Sequence, residues 1–358
     1  MAPIVELVAM PVSVSDQKIT VNLRITDGGG GIGLVRLFVN GTAVVQDNEP
    51  HAPPAAAGGS VARSYTVQLA GGANALRAVA FNADDSMQSN PAVANVELQL
   101  TPQATLHALV VGIQEFKNPN LKLSYSVADA KLFAETLRKY AAPLFKGTPD
   151  IKLLTVPAET TRDGVLQALK TFVSSVGPDD LFIFYVASHG FVDNGEYYLI
   201  TSNVGSVSTD HLKSDAVNKG ELTALIANIA ATKKLMVIDT CHAEGLGNAL
   251  QAGLLTRGLD DATALKILSR SVGTTVLAAS TSTQSAMEGY QDHGLFTYVV
   301  ADGLRGAADV EQSGFVSTLG LAHYVDRQVP ELAEREFNQA QYPVIETNGQ
   351  AFPLTKVK

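Results

Sequence analysis

One cysteine among 358 residues, Cys241, rules out an intramolecular disulfide, so folding does not call for an oxidising compartment. Basic residues are also in short supply: 26 Lys and Arg face 35 Asp and Glu, a formal net charge of -9. That balance argues against nucleic acid or an acidic membrane surface as the general partner and favours basic ones. No apolar run approaches the roughly 20 residues of a membrane-spanning helix. The amino terminus, Met1-Ala2-Pro3-Ile4-Val5-Glu6, lacks the basic and long apolar regions of a secretory signal, so a cytoplasmic location is expected. The seven histidines and the single cysteine show no zinc-ligand spacing. What is present is a globular composition, 46% hydrophobic and 17% charged, long enough for two domains.

Residues 1–101 read as an all-β immunoglobulin-like sandwich. Short alternating runs such as Ile19-Thr20-Val21-Asn22-Leu23-Arg24-Ile25 are separated by turn residues, and Asn40-Gly41 supplies the positive φ angles of a tight hairpin. The Pro/Ala/Gly stretch 49–59 reads as a loop. Gly28-Gly29-Gly30-Gly31-Ile32-Gly33 matches a dinucleotide-binding pattern in form, but a strand-like run comes after it where the motif needs a helix, so a glycine-rich connection is expected. Asn40-Gly41-Thr42 is a glycosylation sequon that the hairpin turn already explains. Because a β-run starts directly at the amino terminus, the chain also reads as part of a longer protein. The sandwich is expected to bind a protein partner or to brace the second domain.

Residues 102–358 alternate apolar strands with amphipathic helices, which predicts a mostly parallel sheet flanked by helices. Strands are expected at 106–113, 151–156, 181–189, 233–241, 274–280 and 342–346, a small hairpin at 196–201, and helices at 127–140, 162–176, 219–231, 295–304 and 318–335. In such a sheet, reactive groups collect beyond the carboxyl ends of the strands. The third strand ends on Ser188-His189-Gly190 and the fourth on Asp239-Thr240-Cys241-His242, each leading into small residues.

An imidazole beside a thiol makes it a nucleophile and can then protonate a leaving amine. His189 and Cys241 supply those groups, and the N–H groups of Gly190 and Cys241 are candidates for an oxyanion hole. The bland alternative is a buried structural cysteine and an unrelated histidine; ending similar strands at one sheet edge favours catalysis.

Tyr185-Val186-Ala187-Ser188-His189-Gly190 and Val237-Ile238-Asp239-Thr240-Cys241-His242-Ala243-Glu244-Gly245 resemble the two catalytic motifs of caspase-like cysteine peptidases. The likeness is strongest to the bacterial metacaspase-like type, the orthocaspases. His189 and Cys241 are 52 residues apart, against about 50 in caspases. The Gln-Ala-Cys signature of caspases is replaced by Asp-Thr-Cys-His. The resemblance implies cysteine endopeptidase activity and a monomer. It also implies that Asp239 and Asp129, the latter in Ala128-Asp129-Ala130, line a pocket for Arg or Lys at P1 of a protein or peptide substrate. For Asp129, placement at a helix amino terminus is nearly as good an account.

Ser280, with Thr281 and Ser282, is a candidate for contact with substrate backbone, and Glu288 and Asp292 for the rim of an acidic cleft. His242 suits a structural role in its turn. The resemblance also places maturation cuts in 244–272, where Arg257 and then Arg270 are candidate autoprocessing sites; an uncut loop is the alternative. No cofactor is expected: metacaspases often need calcium, but only Asp193 and Glu196 come after the His-Gly motif, too few for a site with about six oxygens. Two rivals remain, a catalytically silent module of the same fold and an Asp-directed peptidase. The latter needs an arginine cluster that Arg257, Arg270 and Arg305 do not visibly form.

Overall fold

The computed structural model describes residues 1–47, 59–99, 104–193, 196–241, 274–279, 287–347 and 351–357, with the side chains of Val192 and Cys241 outside that description. The first unit is built from β1 (Ile4–Val8), β2 (Ser13–Val14), β3 (Lys18–Thr26), β4 (Val35–Val39), β5 (Thr42–Asp47), β6 (Ser60–Gln68), β7 (Gly72–Ala80) and β8 (Ala92–Leu98). They form two sheets, ordered β1-β3-β6 and β2-β8-β7-β4-β5, a sandwich of immunoglobulin type. Alternation explains it: Ile19, Val21, Leu23 and Ile25 of β3 are buried while the residues between them face water.

The turn between β4 and β5 has Asn40 at φ 53° and Gly41 at φ 85°, the pair of left-handed residues a two-residue hairpin requires. The glycine-rich stretch is a connection between β3 and β4. Asp27 Oδ1 accepts the N–H groups of Gly29, Gly30 and Gly31 at 2.7, 3.0 and 2.8 Å, so the donors a phosphate would use are already engaged by a carboxylate.

The second unit begins with β9 (Leu106–Gly112), α1 (Ser126–Tyr140), β10 (Asp150–Leu154), α2 (Arg162–Ser175), β11 (Leu181–Asp193) and β12 (Glu196–Leu199). It continues through α3 (Thr209–Asp215), β13 (Val217–Asn218), α4 (Lys219–Asn228), β14 (Lys233–Cys241), β15 (Thr275–Ala278), β16 (Glu288–Tyr290), β17 (His293–Gly294) and α5 (Leu295–Asp302). β18 (Phe315–Ser317), α6 (Thr318–Phe337), β19 (Val344–Glu346) and β20 (Pro353–Lys356) complete it.

The main sheet runs β10-β9-β11-β14-β15-β19, with β19 alone antiparallel to its neighbour. Its strands are continuous apolar runs because both faces are covered. Leu109, Val111, Phe182, Phe184, Val186, Met236 and Ile238 pack in one core with residues of α2 and α4. Leu106, Ala108, Val110, Ile183, Tyr185, Leu235 and Val237 pack in the other with residues of α1, α5 and α6. Polar caps fix where helices start: Thr161 accepts from Gly164 N–H, and Asn218 and Glu221 form a reciprocal capping box, each cap worth about 1 kcal/mol.

Two expectations need correction. The third strand does not stop at His189; β11 continues to Asp193. Its parallel neighbour β9 ends at Gly112 and β14 at Cys241, so residues 190–193 take a new partner and pair antiparallel with β12. The helix expected at 295–304 ends at Asp302 and passes into a wider turn, Gly303–Ala307, where Gly306 has φ 128°.

The sandwich abuts the edge of the sheet opposite His189 and Cys241. Thr42 Oγ1 donates to the Thr232 carbonyl at 2.6 Å, and Asp179 accepts from Gly71 N–H at 2.6 Å and from Gln17 Nε2 at 3.2 Å. Thr232 directly precedes β14 and Asp179 lies two residues before β11, so the sandwich is anchored at the starts of these two strands.

The same edge holds a buried histidine. His107 Nδ1 lies 3.0 Å from Asp150 Oδ2 and its Nε2 3.4 Å from Asp180 Oδ2. Burial alone would depress its pKa, but the bonds to Asp180 and Asp150 outweigh that and raise it. Its stabilising contribution is therefore complete below about pH 6.5 and is lost as pH rises through the folded value. The expected result is a melting temperature that falls, relative to a His107→Gln variant, as pH increases from 6 to 9.

Candidate active site

His189 occupies the last position at which β11 still pairs with β14, and its register partner there is Cys241. Adjacent strands lie about 4.8 Å apart, so the two backbones are neighbours at the carboxyl edge of the sheet. Phe116 packs against the His189 ring with centroids 5.4 Å apart, and the residue is 6% exposed. His189 Nε2 lies 2.9 Å from the carbonyl oxygen of Leu121. A carbonyl can only accept, so Nε2 carries the hydrogen in the neutral ring and Nδ1 is the atom able to take up a proton. Leu121 thus fixes ring orientation and tautomer together. Residue type gave no hint of this, because any residue supplies a carbonyl.

Gly190 has no room for a side chain: a Cβ there would lie 2.9 Å from Tyr197 Cε2 and 3.1 Å from its hydroxyl. Any side chain at that point would require the buried Tyr197 ring to move.

Beside His189 is a small pocket lined by Leu123, Ser126, Asp129, Ala187, Ser188, Asp239, Met287, Glu288 and Gly294. It gathers three carboxylates from three elements, α1, β14 and the β16–β17 hairpin. Asp129 is 4% exposed and Asp239 7%. Asp129 accepts from Gly294 N–H at 3.0 and 3.2 Å, with His293 Nδ1 3.0 Å from its Oδ1. Its carboxylate is thus held by residues far along the chain, which goes beyond the helix-terminus account. Asp239 Oδ2 accepts from Thr297 Oγ1 at 2.5 Å, and the Tyr185 hydroxyl, 2.6 Å from Thr297 Oγ1, supports that threonine from behind.

Burial pushes the pKa of both aspartates up, Asp129 further raised by Asp239 and Glu288, and Asp239 by Glu288. The Gly294 and Thr297 hydrogen bonds oppose the rise without cancelling it. Glu288 is also raised by its own burial. Among the described residues, no arginine or lysine lines the pocket. Such a pocket is short of positive charge, and a cationic group entering it would relieve the repulsion.

Asp292, a candidate with Glu288 for the rim, is an exposed turn residue with φ 62°, next to Gln291 at φ 52°, and is not among the residues that line the pocket. Ser280, Thr281, Ser282, His242, Arg257 and Arg270 lie outside the described residues, as does the side chain of Cys241. Asp193 accepts from Thr209 Oγ1 at 2.7 Å. Among the described residues, no three His, Cys, Asp or Glu side chains are grouped to hold a metal ion, and no helix is long and apolar enough to cross a membrane.

The profile of the caspase domain matches residues 105–354. The chain belongs to the caspase-domain family. That match spans the whole sheet with its helices, and it includes His189, Cys241 and all three pocket acids, so the caspase domain contains the complete candidate site. This places the chain in a family of cysteine-type peptidases. No curated protein matches the sequence. Among solved structures, the fibronectin(III)-like modules of CbhA from Clostridium thermocellum are similar at 20% identity, with a TM-score of 0.22. That match covers 28% of this chain and 100% of the module. The sandwich that precedes the caspase domain is assigned from its own strand pairing.

Proposed function

We propose that the protein is a cysteine endopeptidase with a His189/Cys241 dyad that cuts after arginine or lysine. The observation that carries this reading is the convergence of Asp129, Asp239 and Glu288 on one pocket beside His189, in a family of cysteine peptidases. His189 Nδ1 takes the thiol proton of Cys241, and the thiolate attacks the scissile carbonyl carbon, forming a C–S bond and an oxyanion that the N–H groups of Gly190 and Cys241 stabilise. The C–N bond then breaks, and the leaving amine takes the proton back from His189. Water, deprotonated by the same imidazole, attacks the thioester and releases the carboxylate product and the thiol. Ser280 is proposed to hydrogen-bond the substrate backbone.

The pocket chemistry weighs against an aspartate-directed enzyme, since burial and repulsion among the three acids already raise their pKa values and a P1 carboxylate would add a further anion to that group. An arginyl chloromethyl ketone is expected to alkylate Cys241, located by peptide mass mapping, and an aspartyl analogue to leave it unmodified. Labelling by the aspartyl reagent alone would overturn the specificity, and labelling by neither would favour the silent module.

Arg257 and Arg270 are proposed self-cleavage sites, Arg257 first. On a denaturing gel, wild type is expected to be clipped and Cys241→Ala intact, whereas two intact chains would remove self-processing. The protein acts on basic P1 substrates as a monomer in the cytoplasm without a cofactor, and its sandwich, anchored at the opposite edge, braces the domain or carries a partner.

A further inference from the structure

The connection from α5 to β18 and the first half of α6 form a groove of about 550 Å³, within the roughly 300–1,000 Å³ of ordinary binding clefts. It shares no lining residue with the acid pocket. Helix α5 separates the two: from Gly294, which bonds Asp129, its eight residues carry the chain about 12 Å away, and the groove begins beyond them at Ala308. Leu319, His323 and Arg327 lie four residues apart on α6 and form one stripe, with His323 about 6 Å and Arg327 about 12 Å along the helix from Leu319. Val310 and Phe315 line the groove from the connection and from β18. Val310, Phe315 and Leu319 are 68, 41 and 44% exposed, three large apolar side chains gathered around one cleft, as at interaction sites.

Most polar groups of the groove are engaged within the fold. Asp309 accepts from the N–H and Oγ of Ser313, both at 2.9 Å, and from Gly314 N–H at 2.8 Å. Ser317 Oγ accepts from Gly320 N–H, and the Tyr324 hydroxyl donates to Asp302. By contrast, His323, Arg327 and Glu311 make no hydrogen bond or ion pair among the described residues. We propose that this groove docks an extended segment of a partner protein that carries a large apolar residue and, two to four positions away, a carboxylate. The apolar side chain would be buried among Val310, Phe315 and Leu319, and the carboxylate would be held by Arg327 and His323. An extended chain advances about 3.3 Å per residue, so two to four positions span the distance from Leu319 to the two basic side chains. A guanidinium meets a carboxylate with two parallel hydrogen bonds, and an imidazole can donate one whether neutral or charged. Glu311, on the connection, repels an acid from that side and leaves α6 as the side that receives it.

The test is fluorescence anisotropy on the full chain, in a Cys241→Ala background so that no probe is cut. The probes are labelled glycine–serine peptides that carry one Phe and, three positions further on, a pair of Glu, Gln or Lys residues. The Glu peptide is expected to bind at least about tenfold more tightly than the Gln peptide, and the Lys peptide most weakly. Leu319→Ser should weaken the Glu peptide by about tenfold or more, and Arg327→Glu should reverse the order so that the Lys peptide binds more tightly than the Glu peptide. Both side chains are exposed, so the melting temperature should stay at that of the parent in each variant. Equal affinity for the Glu and Gln peptides, or binding unchanged by both substitutions, overturns the proposal, as does no binding of the Glu peptide at about 1 mM. A dimer in solution that Leu319→Ser disperses would give the groove to a second copy of the chain and overturn it as well.

Discussion

Asp239→Asn is expected to lower kcat/KM for an arginyl peptide by between about a hundredfold and several thousandfold, and at the same time to raise the melting temperature at neutral pH. The first effect comes from removing one partner of a buried charge pair, which costs about 3–5 kcal/mol, at 1.36 kcal/mol per decade of rate. It falls mainly on KM, because the substrate cation is bound in the ground state as well as in the transition state. The second effect has the opposite sign for a physical reason. Asp239 is buried, and its pKa is raised above that of the unfolded chain. Its contribution to stability is therefore complete below about pH 4 and is lost as pH rises through the folded value. Asparagine has no ionisation to lose and can still accept from Thr297. The gain should grow between about pH 4 and the folded value of about 6, level off above it and vanish below about pH 4, at about 2–4 °C for each kcal/mol in a domain of this size. Kinetics on paired Arg peptides together with melting curves against pH checks both signs. A variant that is less stable at every pH would show that Asp239 is a structural acid.

His189→Ala should fail in a different way. Here kcat/KM falls by about 10³-fold or more while KM for the arginyl peptide stays close to wild type, because the pocket acids lie on α1, β14 and the hairpin. The pH profile for alkylation of Cys241 should move to that of an ordinary thiol, about pH 8.5, once no imidazole is present to share the proton. An unmoved profile would mean that His189 does not touch the thiol chemistry. The contrast between a KM defect at Asp239 and a kcat defect at His189 is the signature of a pocket and a dyad acting as separate parts of one site.

The parts legible in the sequence were those written in residue type over short distances. Runs such as Leu106–Gly112 and Lys233–Cys241 announce parallel strands because burial on both faces suppresses alternation. Asn40-Gly41 announces its hairpin because few residues accept positive φ. His189 and Cys241 stood out because each closes such a run, and their register partnership is then a consequence of β11 and β14 being neighbours. The parts that were not legible depend on contacts between distant segments. Gly294 reads as an ordinary small residue until its N–H is found on Asp129, 165 positions away. Thr297 and Tyr185 carry no signal until they meet beside Asp239. The extension of β11 beyond His189 could not be read because a strand exchanging partners looks the same in sequence as one that stops. The pair β18 and β20 consists of runs of three and four residues, too short to show a period.

If the three acids beside His189 and Cys241 select a basic P1 residue, kcat/KM should separate two fluorogenic peptides identical except for Arg or Asp at P1, with Cys241→Ala as the blank. The Arg peptide is expected to be cleaved at least about 10³-fold faster than the Asp peptide, with no cleavage in the blank; faster cleavage of the Asp peptide, or cleavage that survives in Cys241→Ala, would overturn that selectivity or the role of the thiol.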